Sequence, residues 1–120
     1  ASPSAAPPIF RFATIDSTNT EAFRAAERGA PHHSAFLAEF QTSGRGKPGS
    51  EWWMPPGAGV LLSVLLRKPP ETIPFESLSM EIGRRLAVRM GELTGLPVQV
   101  KPPNDLLVGG KKFSGILCEA

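Results

Sequence analysis

The chain has 120 residues, of which 41% are hydrophobic, enough for one globular domain with its own core. Thirteen basic against eleven acidic residues leave a net charge of +2, too small a surplus to suggest a nucleic-acid-binding surface. The single cysteine, Cys118, excludes an internal disulfide and fits a reducing, cytoplasmic compartment, and no apolar run reaches the length of a membrane span.

The first eight residues, ASPSAAPP, lack the basic flank and apolar centre of a signal peptide. They read as a flexible tail ahead of a domain over residues 9–120. Ile9 to Asp16 (IFRFATID) has apolar residues on both parities, as a buried strand does. STNTEAFRAAERG follows with helix signals: Thr18 and Glu21 stand at capping-box spacing, and Gly29 can end the helix. Ser34 to Phe40 is a second strand. Gln41 to Gly59 is a loop rich in glycine and proline that also carries Trp52 and Trp53. Val60 to Arg67 (VLLSVLLR) reads as a central strand. A long helix comes next, with Leu78, Ile82, Leu86 and Leu93 as its buried stripe and Gly95 and Pro97 beyond its end. VQVK is a short strand, PPNDLLVGG a turn region, and KKFSGILCEA a final strand expected to pair antiparallel with VQVK. This order describes an α/β (α+β) fold: a mixed, largely antiparallel sheet with helices packed on one face. A sheet ended at Ala120 would leave an open apolar edge. That points to an incomplete domain, or to a second chain or homodimer that completes the sheet.

Three constellations could carry chemistry. In the loop, Gly44, Gly46 and Gly49 let the backbone approach a ligand, Arg45 offers a fork for a carboxylate or phosphate, and the tryptophans offer stacking faces. An ordinary surface loop with tucked-in tryptophans explains the glycines as well. The spacing fits neither a Walker motif nor a dinucleotide fingerprint. In KPPNDLLVGGKKFSGIL, Lys101, Lys111 and Lys112 flank Asn104 and Asp105. Asp105 could hold Mg²⁺ on a nucleotide, and Asn104 could bond a base or phosphate. A plain hairpin with solvated lysines is the alternative. Gly115 interrupts an apolar strand, as glycine does where a ligand comes close. In DSTN, Ser17, Thr18 and Asn19 stand before a helix; one caps it, and the others are free for a polar ligand. His32 and His33 share one loop and have no metal-ligand spacing around them. Cys118 alternates with Ile116 and reads as core.

Together and in order, DSTN, EFQTSGRG, a tryptophan followed by PPGAGVLLS, K-x-PNDLL and GKKFSGILCE resemble the catalytic domain of biotin protein ligases. The resemblance runs from about Ile15 to Glu119, the first half of that domain. It implies a class II synthetase-like biotin/lipoate ligase fold and a two-step reaction. The biotin carboxylate attacks the α-phosphate of ATP, brought in with Mg²⁺, and the biotinyl-adenylate then acylates a lysine of a biotin carboxyl carrier protein. It also implies roles. Lys112 and Arg45 would be the catalytic cations. Ser17, Thr18, Asn19, Gln41, Gly44, Gly46, Gly115 and Leu117 would join them around biotin. Lys47, Trp52, Lys101, Asn104 and Asp105 would face the nucleotide, with Asp105 near Mg²⁺.

The departures bear on strength of binding. The family loop reads GRGRRGR, whereas Lys47, Pro48, Ser50 and Glu51 dilute the positive charge here. KWPND is KPPND, with Pro102 for tryptophan. Both changes imply a looser hold on the adenylate. The strand with a Gly-Ile-Asn segment and the small C-terminal β-domain of family members have no counterpart in these residues. Nor does the DNA-binding domain that precedes some members. Two other readings compete: a lipoate or octanoate ligase or transferase of the same fold, and a noncatalytic fragment or subunit of a split ligase.

Overall fold

The computed structural model describes residues 6–46, 52–67, 71–102 and 105–120, and these form two compact units divided at Pro69/Pro70. In the first, β1 (Ile9–Ile15) and β2 (Ala35–Gln41) run parallel, and α1 (Thr18–Glu27) makes the crossover between them. β3 (Leu61–Val64) adds antiparallel to β2, giving the order β1-β2-β3. α1 faces the sheet with Ala22 and Ala25, which pack with Phe36 of β2 into a small core. Alanine's short side chain lets the helix backbone approach Phe36, which is 1% exposed. Burying a ring of that size contributes about 2 kcal/mol.

Two expectations fail in this sheet. β1 is largely exposed rather than buried, because it is an edge and its outer residues have no neighbour among the described residues. β3 is also an edge strand, shorter than expected, and alternates buried Leu61 and Ser63 with exposed Leu62 and Val64. An unbroken apolar run cannot by itself distinguish an edge strand from a central one.

The N-cap of α1 is Ser17, not Thr18. Ser17 is extended at φ −158°, and its Oγ accepts from Thr20 N at 3.3 Å. The Thr18 hydroxyl is committed elsewhere, as described below. At the other end Gly29 takes φ +88°, a conformation glycine adopts without strain. The Arg67 guanidinium donates to Ala26 O at 2.9 Å and Ala30 O at 2.6 Å, supplying carbonyls at the helix end with donors.

In the second unit α2 (Phe75–Thr94) precedes an antiparallel sheet of β4 (Gln99–Lys101), β5 (Asp105–Val108) and β6 (Lys111–Gly115), in that order. The sequence places a turn over PPNDLLVGG, yet its DLLV is a strand. It sits between VQVK and the final strand, so those two do not pair with each other. Only Gly109 and Gly110 form the turn, both at positive φ (60° and 76°), as two-residue hairpin turns of the primed type demand. The final strand stops at Gly115, and Cys118 beyond it is half-buried rather than core; burial pushes its thiol pKa up. α2 turns Leu78, Gly83 and Ala87 inward, while Leu86 and Leu93 of the expected stripe are exposed. Gly83 explains the shift of face. A Cβ there would lie 3.3 Å from Ile116 and within 4 Å of Leu106 and Val100, so the helix meets the sheet along its smallest side chains. Gly95 ends α2 at φ 73°, as expected. Among the described residues three of the four strand pairings are antiparallel. Among the described residues no helix is long and apolar enough to cross a membrane.

Candidate functional site

The start of α1, the end of β2 and the middle of β3 bring four polar side chains together beside the first core. Gln41 Oε1 accepts from Thr18 N at 2.8 Å and from Thr18 Oγ1 at 3.0 Å. Thr18 Oγ1 lies 2.7 Å from Ser63 Oγ, and Ser63 Oγ closes on the Asn19 side-chain amide. Thr18, Gln41 and Ser63 are buried, as is Ser17 beside them. Thr18 donates to the Gln41 amide oxygen and Ser63 to the Asn19 amide oxygen, and the two hydroxyls lie against each other, which joins the four groups in one buried chain. Such a chain is polarised and rigid, and any ligand that meets it finds donors and acceptors already oriented. Ser63 was not among the expected site residues. Its signal was a lone hydroxyl inside an otherwise apolar strand, LLSVLL.

The loop leaves this cluster on a fixed stem. Thr42 N donates to Ile15 O at 3.0 Å and Ser43 N to Asp16 O at 2.8 Å, so the loop begins against the end of β1. Gly44 O accepts from Trp52 N at 3.0 Å, which ties the outgoing and returning chains together. A Cβ at Gly44 would collide with the Trp52 carbonyl oxygen and stand 2.8 Å from Gln41 Nε2. Glycine is required there for space. Gln41, Thr42, Ser43, Gly44, Trp52 and Trp53 line an open cleft of about 290 Å³. Trp52 is partly buried and Trp53 is 68% exposed, so the second tryptophan is not tucked into the core. Arg45 Nη1 donates to Thr20 Oγ1 at 2.8 Å. The fold therefore gathers Ser17, Thr18, Asn19, Gln41, Gly44, Arg45 and Trp52 around the start of α1, with Gly46 following Arg45 on the exposed stem. Lys47 and Gly49, expected to line the ligand, lie outside the described residues, as does Asn104.

The charged frame of this region is built on Asp16. Its carboxylate takes both Arg24 nitrogens, Nη1 at 2.9 Å and Nη2 at 2.8 Å, and accepts from Ser17 N at 2.8 Å. The Arg24 hydrogen bonds, aided by that of Ser17, hold the Asp16 pKa down to about 2. Arg24 also donates to Glu21, which accepts from Arg28 in turn. Burial pushes the Glu21 carboxyl up, and the two arginines more than reverse it, leaving its pKa lowered. The Arg24 pKa is raised by the same partners.

In the second unit the register sets Lys101 opposite Asp105 and Asp105 opposite Gly115, a row across three strands. Lys112 Nζ lies 3.0 Å from Asp105 Oδ1. That oxygen is buried and its angle to the ammonium is not that of a hydrogen bond, so charge rather than direction compensates it. A register shift makes the pair. Leu106 faces Ser114 but Leu107 faces Lys112, leaving Phe113 bulged. Without the extra residue Lys112 would oppose Val108 and point to the other face of the sheet. Leu117 lies past the end of β6, partly buried.

A family model described as the biotin/lipoate A/B protein ligase family matches residues 11–120. The chain is 35% identical over 107 residues to the bifunctional ligase/repressor BirA of Bacillus subtilis, covering 88% of this chain and 32% of that protein. It is 38% identical over 112 residues to the biotin–[acetyl-CoA-carboxylase] ligase of Paracoccus denitrificans, 90% of this chain and 45% of that one. Its fold is similar to that of the Aquifex aeolicus biotin protein ligase in complex with biotin and ATP, with a TM-score of 0.78 and 32% identity over 94% of this chain and 47% of that one. It is also similar to the Leishmania major biotin protein ligase in complex with biotinyl-5-AMP, with a TM-score of 0.73, 27% identity, and 97% and 52% coverage. The chain thus spans from a third to about half of the length of these relatives.

Proposed function

The chain belongs to the biotin/lipoate A/B protein ligase family, and from that premise we propose that residues 9–120 form part of the catalytic domain of a cytoplasmic biotin protein ligase. The observation that carries this reading is the buried chain of Asn19, Ser63, Thr18 and Gln41 beside the glycine-stemmed cleft. A ureido ring has one carbonyl and two N–H groups in a plane, and a pre-oriented row of hydroxyls and amides suits it. An apolar pocket suited to a plain acyl chain would need no such row.

In the first step a carboxylate oxygen of biotin bonds to the α-phosphorus of ATP, the bond to the bridging oxygen breaks, and pyrophosphate leaves. Two anions must meet, so fixed positive charge is needed where they do. The resemblance assigns that charge to Arg45 at the loop stem, with Lys47 after it, and to Lys112 on β6. Lys112 comes with a counter-ion, Asp105, which restrains the ammonium until a more negative group draws it away. Mg²⁺ enters as part of the nucleotide substrate. Asp105 would offer it a carboxylate oxygen, in competition with the Lys112 ammonium that lies against Oδ1. The resemblance assigns Trp52, and in the second unit Lys101 and Asn104, to the nucleotide, and the backbone of Gly115 and Leu117 to the biotin chain. In the second step a carrier-protein lysine amine attacks the acyl carbon, AMP leaves and an amide forms.

Biotin-dependent exchange of pyrophosphate into ATP tests the first step. The full-length protein is expected to exchange with biotin and at least about 100-fold less with lipoate, since a site built to hydrogen-bond a ureido ring discriminates strongly against an acid that lacks it. Equal exchange with both acids, or exchange with lipoate alone, would move the assignment to the lipoate side of the family.

A further inference from the structure

Thr20 has no part in the roles assigned so far, yet its hydroxyl accepts from the Arg45 guanidinium. We infer that Thr20 is a positioning residue: its hydroxyl fixes the Arg45 guanidinium over the first turn of α1, next to the buried polar chain, and so sets the pocket's affinity for acyl-adenylate. The hydroxyl can do this because its own place is fixed. Thr20 N is bonded to the Ser17 cap, and Thr20 is partly buried in the first turn of a helix packed on the sheet. The arginine's main chain is fixed as well. The preceding Ser43 N is bonded to Asp16 O, and Gly44 O to Trp52 N. The side chain and the loop stem are thus held at both ends by the segment Asp16 to Thr20. A hydroxyl also orients a guanidinium while contributing no negative charge, so this contact does not neutralise the arginine. A carboxylate at position 20 would hold Arg45 at least as firmly and oppose the anion it is meant to attract. The affinity half of this inference rests on the ligase reading above; the docking half does not.

Trypsin separates the two halves. It must take the Arg45 side chain into its own pocket to cut Arg45–Gly46, so docking on Thr20 competes with cleavage. The next basic residue, Lys47, precedes Pro48 and resists trypsin. In the full-length protein without ligand, Thr20→Val is expected to raise cleavage at Arg45–Gly46 about fivefold, and Thr20→Ser to keep the parental rate, with the thermal midpoint of both variants close to the parent's. An unchanged rate in Thr20→Val, or equal acceleration in Thr20→Ser, overturns the docking. The second arm measures retention of biotinyl-adenylate. Thr20→Val is expected to lose about tenfold in affinity, the scale of a hydrogen bond to a charged group. It is expected to lose nothing further in an Arg45→Gln background, while Thr20→Ser binds normally. Retention within twofold of the parent in Thr20→Val overturns the positioning role. Should the unsubstituted protein show no biotin-dependent exchange, the ligase reading fails, and the cleavage ratio still decides the docking.

Discussion

Ser63 shows how much one hydroxyl can hold. It is buried, sits on an edge strand flanked by leucine and valine, and links Thr18 to Asn19. Ser63→Ala keeps the shape and removes the middle of the chain. Asn19 then loses its partner on β3, and Thr18 keeps only Gln41. We expect a loss of about 1–2 kcal/mol in urea unfolding with an unchanged m-value, the cost of buried groups left without a partner. A loss below about 0.5 kcal/mol would mean that water or Gln41 takes over the bond. Recognition at this scale was partial. Ser17, Thr18, Asn19 and Gln41 stand in motifs, whereas Ser63 lies inside what reads as a uniform apolar strand. Thr20 was hidden for a different reason: its importance comes from a partner 25 positions away.

Among the elements, α1 and its flanks were legible because local rules decide them: a hydroxyl before the helix, glycine after it, and two adjacent glycines at the β5–β6 turn. Pairing was not. Whether VQVK meets DLLV or KFSGIL depends on which residues form the turn, and Gly109 and Gly110 close it with so few residues that DLLV becomes a strand. Leu78 of the leucine stripe faces inward on α2 while Leu86 and Leu93 do not, because Gly83 rather than a leucine marks the point of closest approach. The Phe113 bulge, which turns Lys112 toward Asp105, has no sequence signal at all. The cap of α1 allows a test that separates folding from binding. Ser17→Ala removes the bond to Thr20 N and should cost about 1 kcal/mol. Ser17→Asn should recover most of that stability, since asparagine caps as well as serine, while its larger amide intrudes on the biotin site. Thermal midpoints and biotin titrations of the pair should therefore rank the variants differently. Identical rankings would show that Ser17 matters only as a cap.

For the molecule as a whole, acid stability depends in part on a carboxylate placed at a junction. Asp16 joins the end of β1, the cap of α1 and, through its carbonyl, the first residues of the loop. Its pKa is about 2 in the fold against 3.8 for the free group. A depressed carboxyl pKa means that the unfolded chain binds the proton more readily. The stabilisation from Asp16 is therefore complete above pH 3.8 and is lost as pH falls toward 2. The pair is exposed, with side-chain accessibilities of 43% for Arg24 and 42% for Asp16, so solvent screening keeps the effect small. Asp16→Asn removes the titrating group and keeps the shape. The stability gap between the parent and Asp16→Asn should be near its full value at pH 6, begin to shrink below pH 4 and close near pH 2. It should also narrow in 1 M salt, because both partners face water. A gap that stays constant from pH 6 to pH 2 would assign the role of Asp16 to its hydrogen-bond geometry alone. The Asp16–Arg24 charge pair would then contribute nothing to holding the loop stem against the helix.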